Sequence, residues 1–202
     1  MNQIIKNTII LFVITLVAGI CQGTVHDITL DPIAQAQEAA ATKTYQEVYP
    51  DAASFDEPQE LADAVTAAAD SISEWGFGKV TINDAKDALD ASGNQIGYLI
   101  TSTSAESYGG NVQIAVGITN EGELTGIGFL SISDTPGLGM RAKEPDFKDQ
   151  FIGKKAENLE VTKTGASADN QIEAISGATI TSKAVTNATD AAIYFVANCL
   201  AQ

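Results

Sequence analysis

The chain enters its last helical segment through SGATITS, residues 176–182, a run of small and hydroxyl-bearing side chains. The residues that follow, Lys183 to Leu200, have helical spacing with one apolar stripe suited to packing on a sheet. Gly177 has no side chain, so a ligand can approach the backbone there. The first amides of a helix lack intrahelical acceptors and lie at the positive end of the helix dipole, so this turn suits a phosphate group. A simpler interpretation, in which the hydroxyl groups only cap the helix, fits the same residues.

Upstream of this turn the hydrophobic pattern has a period of two, which is typical of strands with one buried face. Four such segments lie at 80–82, 96–100, 112–118 and 124–130, separated by turn-forming clusters. Short connections join antiparallel neighbours, so we predict an antiparallel meander. Gly126 and Gly128 lie inside the fourth segment, where they either leave room for something flat or bend the sheet. The predicted class is α+β, an N-terminal transmembrane helix followed by an antiparallel-sheet domain flanked by helices.

Residues 1–26 form a predicted membrane anchor. The uncharged residues 7–25 would span about 29 Å as a helix, close to the ~30 Å core of a bilayer. Lys6 precedes this run and no Lys or Arg follows until Lys43, so the positive-inside rule places the N-terminus in the cytoplasm and the remainder on the extracytoplasmic side of the cell membrane. A cleaved signal peptide is the competing interpretation, although no small-x-small cleavage site follows closely. A lipid anchor at Cys21 is disfavoured by the large residue before it.

Residues 27–78 read as a helical stalk or packing region, and residues 79–202 as the main domain. Asp31-Pro32 has the features of an N-cap and a first helical position, which predicts that a separate helix begins there and ends near Tyr49. Short helices are also predicted at 57–73 and 144–151, and a further strand at 159–163.

The net charge of −15 indicates a domain that repels nucleic acid and anionic lipid headgroups. Cys21 and Cys199 do not form a disulfide framework, and with the single histidine, His26, they make a poor metal site. No hydrolytic triad, cysteine-rich cluster motif or GxGxxG is present. We therefore predict no catalytic acid or base and no metal ligands.

The stretch SGATITS resembles the flavinylation motif of the FMN-binding domain shared by the RnfG and NqrC subunits of membrane redox complexes. The resemblance implies that Thr179 carries FMN covalently through a phosphoester bond, with Ser176, Gly177 and Ala178 at the cofactor. Glu173 stands six residues before this threonine, where the family usually has Asp, so the charge is kept and a methylene is added.

A second stretch, Thr135-Pro136-Gly137-Leu138-Gly139, predicts a tight turn with exposed backbone amides. Taken alone, it is equally consistent with a structural loop. It is similar to the family's Thr-Pro-Gly-Leu-Gly loop, which lies by the flavin, and Asp134 stands before it where Glu is common. With less specificity, Tyr108-Gly109-Gly110 matches the family's glycine-rich turn. The length of the chain, the residues Met140 to Pro145 after this loop and the single anchor look closer to RnfG than to NqrC.

This resemblance implies an electron-transfer subunit of a membrane-bound, ion-translocating ferredoxin:NAD oxidoreductase complex of the Rnf type, with the ferredoxin and NAD sites on other subunits. A threonine hydroxyl is a weak nucleophile and no His or Cys lies near Thr179, so a separate Mg-dependent FMN transferase is implied. The other expected partners are the integral-membrane and peripheral subunits and the lipid bilayer. The alternatives are a membrane-tethered extracytoplasmic flavin-binding or scaffold module outside such a complex, and a free-standing carrier for external acceptors.

Overall fold

The computed structural model describes residues 2–155 and 157–200, which separate into two compact units. The first unit ends at Thr42 and the second begins at Lys43. Helix α1, Gln3–Val48, supplies the described part of the first unit and is long and apolar enough to cross a membrane. Its large apolar side chains between Ile4 and Ile33 are exposed, as expected for a segment that meets lipid.

Helix α1 runs without interruption past Pro32. The prediction of a separate helix beginning at Asp31 is therefore wrong, whereas its predicted end near Tyr49 agrees with the structure. A proline inside a helix removes one backbone hydrogen bond, which is a local loss. The residues on both sides favour helix, and the continuous helix retains the hydrogen bonds that two separate ends would leave unmade.

A five-stranded antiparallel sheet forms the centre of the second unit, in the order β1-β2-β3-β4-β5. The predicted meander is confirmed, with longer strands than the pattern indicated. The strands are β1 Ser54–Asp56, β2 Val80–Leu89, β3 Gln95–Ser107, β4 Gly110–Thr119 and β5 Leu124–Ile132. Strand β1 pairs with the end of β2, and helix α2, Gln59–Ala68, follows it. Residues 43–78 therefore share the compact unit of the sheet, although the sequence pattern grouped them with a stalk.

Helix α4, Thr179–Phe195, packs across one face of this sheet, chiefly against β3 and β4. Small buried residues such as Ala188 and Ala192 let the helix lie close to the strands. The buried hydroxyl of Ser102 donates a hydrogen bond of 2.9 Å to the carbonyl of Ala188, which joins helix and sheet inside the core. A π-helical turn, Val196–Leu200, continues the helix.

The last two turns of α1 pack on the opposite face, against Leu99 and Ala115, whose neighbours along the strands face α4. A glycine-lined groove receives this helix end, because a Cβ at Gly128 would lie 2.5 Å from Thr44 Cγ2 and 2.6 Å from Val48 Cγ2. The space left by Gly128 is thus filled by α1.

Two hydrogen bonds fix the chain where α1 ends. Thr125 Oγ1 donates to the carbonyl of Val48 at 2.7 Å, which satisfies one of the free carbonyls at the helix C-terminus. The buried Tyr49 donates its hydroxyl to the carbonyl of Ile96 at 2.8 Å. The end of α1 is therefore part of the core of the sheet domain.

The segment between β5 and α4 is made of short elements. A 3₁₀ turn at Gly139–Lys143 comes first. Helix α3 at Pro145–Lys148 and a second 3₁₀ turn at Asp149–Phe151 then stand where one short helix was predicted at 144–151. Strand β6, Glu160–Thr162, agrees with the predicted strand, and it pairs in parallel with β7, Gln171–Glu173. The sequence pattern missed strand β7, because its single apolar residue, Ile172, shows no alternation.

Candidate functional site

A cavity of about 470 Å³ opens at the N-terminus of α4. Three stretches that are distant in sequence meet there: the turn after β3, the loop after β5, and the start of α4. Its volume lies in the range of small-molecule sites, about 300–1,000 Å³. The lining residues are Tyr108, Asp134, Thr135, Leu138, Gly139, Gly177, Ala178, Thr179, Ile180 and Thr181.

The N-terminus of α4 carries no side-chain cap. Ala178 is the N-cap residue and Thr179 is the first helical residue, with a half-buried side chain. Ser182 does not serve the first turn, because its hydroxyl accepts from the Ile175 N–H at 3.0 Å and donates to the Ala178 carbonyl. The interpretation of SGATITS as hydroxyl caps is therefore wrong. The positive end of the helix dipole faces the cavity without a side-chain oxygen on it.

Gly177 has a φ of 80°, a left-handed conformation that L side chains rarely adopt. A Cβ at this position would also lie 3.1 Å from Leu138 Cδ2, tighter than an ordinary van der Waals contact. Glycine is therefore favoured by the backbone conformation, and a side chain here would also have to displace the end of Leu138. The SGAT turn and the loop at 135–139 approach each other closely at this point.

The other predicted site residues lie beside the cavity. Ser176 lines a neighbouring cleft of about 270 Å³, which also contains Arg141 and Glu173. Pro136 and Gly137 form the exposed tip of the loop. Gly109 packs against the backbone of Ser133 and Asp134, and Gly110, with a φ of 103°, turns the chain into β4. Phe129 and Met140, two apolar residues of this region, pack against the main hydrophobic core.

Asp134 is the buried carboxylate of the site, with 9% of its surface exposed. Its Oδ2 accepts hydrogen bonds from Thr181 Oγ1 at 2.6 Å and from Ser107 Oγ at 2.8 Å. Its Oδ1 accepts from the N–H of Thr135 at 2.7 Å, and the N–H of Gly109 also donates to the carboxylate. Burial acts to raise the pKa of Asp134, but these hydrogen bonds outweigh it and leave the pKa below its ordinary value.

Exposed apolar side chains surround the opening of the cavity. Tyr108 is 72% exposed, Ile180 55% and Leu138 42%, in a domain whose surface is otherwise rich in acidic residues. Ile180 and Thr181 were not among the predicted site residues, because hydroxyl and apolar residues in a first helical turn usually have structural roles. Together the rim and the uncapped helix end can hold a ligand with a flat apolar part and an anionic part.

The described residues contain no group of three or more His, Cys, Asp or Glu side chains that could hold a metal ion. Cys21 is exposed on α1 and Cys199 is half-buried, and both are free thiols. The described lining of the cavity includes no histidine, lysine or cysteine.

A family model for the FMN-binding domain matches residues 107–194, a range that includes all three stretches of the cavity. The chain is 33% identical, over 96% of its length, to the G subunit of the Na⁺-translocating ferredoxin:NAD⁺ oxidoreductase complex of Acetobacterium woodii, and it covers 92% of that relative. The chain belongs to the RnfG family of ion-translocating oxidoreductase subunits. The family resemblance identified from the motifs is therefore confirmed.

Another RnfG relative, from the proton-translocating ferredoxin:NAD⁺ oxidoreductase complex of Clostridium ljungdahlii, is 38% identical over 55% of this chain and 60% of its own length. The match to the corresponding protein of the ion-translocating oxidoreductase complex of Shewanella baltica extends over the full chain, is 28% identical and covers 93% of that protein. Among solved structures, NqrC of Shewanella oneidensis aligns with a TM-score of 0.46 and 19% identity, over 55% of this chain and 54% of that one.

Proposed function

We propose that this RnfG-family chain is the electron-transfer subunit of a membrane-bound, ion-translocating ferredoxin:NAD oxidoreductase complex and carries FMN through a phosphoester bond to Thr179. The observation that carries the proposal is the cavity at the start of α4, where the hydroxyl-bearing Thr179 occupies the first helical position next to the loop at 135–139. Membership of the RnfG family supports the assignment to such a complex.

The residues of the cavity fit FMN. A phosphate esterified to Thr179 keeps about one negative charge, which the amides and dipole of α4 stabilise where no side chain caps the helix. The apolar rim of Tyr108, Leu138 and Ile180 suits the isoalloxazine ring. When bound, FMN supplies one- and two-electron redox chemistry, and the protein supplies binding, orientation and electrostatics.

Attachment of the cofactor requires a separate FMN transferase. A threonine hydroxyl needs a general base or another activating group to attack a phosphoanhydride. The Asp134 carboxylate already accepts four hydrogen bonds and is not a free base. Glu173 is exposed at the edge of the neighbouring cleft beside Ser176, so it is accessible for recognition by a Mg-dependent transferase.

The charge distribution around the anchor supports an FMN domain on the extracytoplasmic side. Lys6 precedes the apolar part of α1, and the acidic domain follows it. A covalent bond has a physical use in this location, because a cofactor lost outside the cytoplasm would not be replaced.

The experiment is coexpression with an FMN transferase, followed by a denaturing gel viewed under ultraviolet light and by intact mass. Wild type should fluoresce and gain the mass of one FMN less one water, and Thr179→Ala should do neither. Thr164→Ala, at an exposed threonine outside the cavity, is the matched control and should behave as wild type. A wild-type chain that stays unmodified while the transferase modifies another substrate would reject the covalent link.

The second candidate is a membrane-tethered flavin-binding or scaffold module outside such a complex. The open, apolar rim of the cavity is compatible with it. Purification of the tagged chain in mild detergent from its native membrane separates the two candidates. Copurification of other integral-membrane subunits in fixed ratio supports the complex, and isolation of the flavinylated chain alone supports the module.

A further inference from the structure

The three stretches of the cavity are joined through one side chain, the carboxylate of Asp134. It connects the turn at 107–109, the loop at 135–139 and the first turn of α4 through the hydrogen bonds described above. None of the ion pairs among the described residues includes Asp134. Its buried charge is therefore balanced by oriented hydroxyl and amide groups and not by a cation.

Glycines in two of these stretches leave space for Asp134. A Cβ at Gly139 would collide with the Asp134 carboxyl group, and a Cβ at Gly109 would lie 2.8 Å from Asp134 Cα. Gly139 has no left-handed φ, so the absence of a side chain is needed there for the packing of the carboxylate and not for the backbone conformation. Gly139 of the loop and Gly109 of the turn thus both pack against Asp134.

We propose that Asp134 is a positioning residue of the flavin site. Its carboxylate holds the turn, the loop and the first turn of α4 at a fixed spacing, and its negative charge lowers the reduction potential of a flavin bound in the cavity. The effect on the reduction potential rests on the proposed function. Reduction adds electron density to the ring, and a nearby carboxylate in a partly dry site opposes that change.

Two variants separate the charge of Asp134 from its positioning. In Asp134→Asn the side-chain oxygen can still accept from the Thr135 N–H, while the new NH₂ group donates to the hydroxyls of Ser107 and Thr181, which rotate to accept. The charge is lost, and three of the four hydrogen-bond contacts of Asp134 are kept. Thr181→Val does the reverse, because it cuts the link to α4 and leaves the carboxylate in place.

The matched control is Thr189→Val. Thr189 is also a buried threonine of α4, but its hydroxyl donates to the carbonyl of Val185 within the helix and it does not line the cavity. Ser107→Ala removes a hydrogen bond to Asp134 from a different stretch, and it replaces Thr181→Val if circular dichroism shows that the latter is unfolded.

The positioning is measured without flavin, by hydrogen–deuterium exchange of the unmodified chain. Losing one hydrogen bond to a buried charge should make the hydrogen-bonded amides of Thr135 and Leu138 exchange about tenfold faster in Thr181→Val. Thr189→Val should leave their exchange unchanged. Equal exchange of this loop in both variants and in wild type would overturn the positioning role.

The effect of the charge is measured by spectroelectrochemical titration of the flavinylated chain. Asp134→Asn should raise the reduction potential of the bound flavin relative to both wild type and Thr189→Val. An unchanged or lowered potential in Asp134→Asn would overturn the electrostatic role. Failure of the wild type to take up FMN would instead reject the proposed function, and the exchange experiment would still decide the positioning role.

Discussion

At the scale of single residues, the middle of α4 contains a buried carboxyl group, Asp190, of which 4% is exposed. It accepts a hydrogen bond of 2.9 Å from the N–H of Leu159, which holds the entry to β6 against the helix. Burial raises the pKa of this group to about 7, and the hydrogen bond from Leu159 only partly opposes the shift.

A raised carboxyl pKa makes the folded protein less stable as pH rises. Below the unfolded pKa of 3.8 the group is protonated in both states, and between that value and about 7 the folded state retains a proton that the unfolded state has lost. The stability that Asp190 contributes when protonated is therefore lost as pH rises through the folded pKa. The loss is complete above that pKa, where the buried group is ionised.

We expect Asp190→Asn to remove this pH dependence, since an amide oxygen can still accept from Leu159 and carries no charge. The gain in unfolding free energy over wild type should increase between about pH 4 and about pH 7, at up to about 1.4 kcal/mol per pH unit, and level off above that. Thermal unfolding of both chains in detergent, at several pH values, measures this difference in unfolding free energy. The exposed Asp70→Asn is the control, and parallel pH profiles for Asp190→Asn and wild type would contradict the assignment.

The single residues of the site were predictable to different degrees. Thr179, Gly177 and Leu138 belong to motifs that can be read along the chain, and the structure brings them to one cavity. The role of Asp134 could not be read in this way, because its partners at positions 107 and 181 are determined by folding. A short acidic residue before a turn has the same local appearance whether it is solvated or buried.

At the scale of secondary-structure elements, periodicity predicted the strands of the meander because each buries one face over several residues. Strands β1 and β7 each contain a single apolar residue, Phe55 and Ile172, so no alternation could be recognised in them. The groove for α1 was also missed, since a glycine in a strand does not indicate which distant element fills its space. The partners of Gly128 lie on α1 at Thr44 and Val48.

The close packing in this groove predicts that one methyl group added at Gly128 will destabilise the domain. Gly128→Ala places its Cβ against Thr44 and Val48, and we expect a loss of about 1–3 kcal/mol in unfolding free energy, as for other overpacked cores. Gly23→Ala is the control, because it adds the same methyl group within α1 where no atom lies within 4 Å of the new Cβ, and it should cause no loss. Thermal unfolding in detergent compares the two variants with wild type. Equal unfolding midpoints for Gly128→Ala and Gly23→Ala would show that the end of α1 does not occupy the groove.

At the scale of the whole molecule, the apolar part of α1 and the acidic domain differ sharply in character. Residues 1–26 contain no acidic residue, whereas the remainder holds all 26. The positive-inside rule is the basis for the predicted orientation, because it depends on the distribution of Lys and Arg around the apolar run.

We expect an impermeant maleimide to label the domain in intact cells. The test chain carries Cys21→Ser, Cys199→Ser and Thr164→Cys, so that the exposed position 164 bears its single thiol. Asn2→Cys in the same cysteine-free background tests the other side of the membrane. Its thiol should be labelled only after permeabilisation. The reverse pattern would place the domain in the cytoplasm.

The position of Thr179 in the chain also determines when its cavity can exist. Synthesis proceeds from the N-terminus, so the anchor and the strands emerge before the SGAT turn and α4. Until α4 reaches the sheet, the turn after β3 and the loop after β5 have no partner at residues 177–181, and the cavity lacks one wall. The complete cavity therefore forms last, and the proposed attachment of FMN at Thr179 would follow the folding of the sheet.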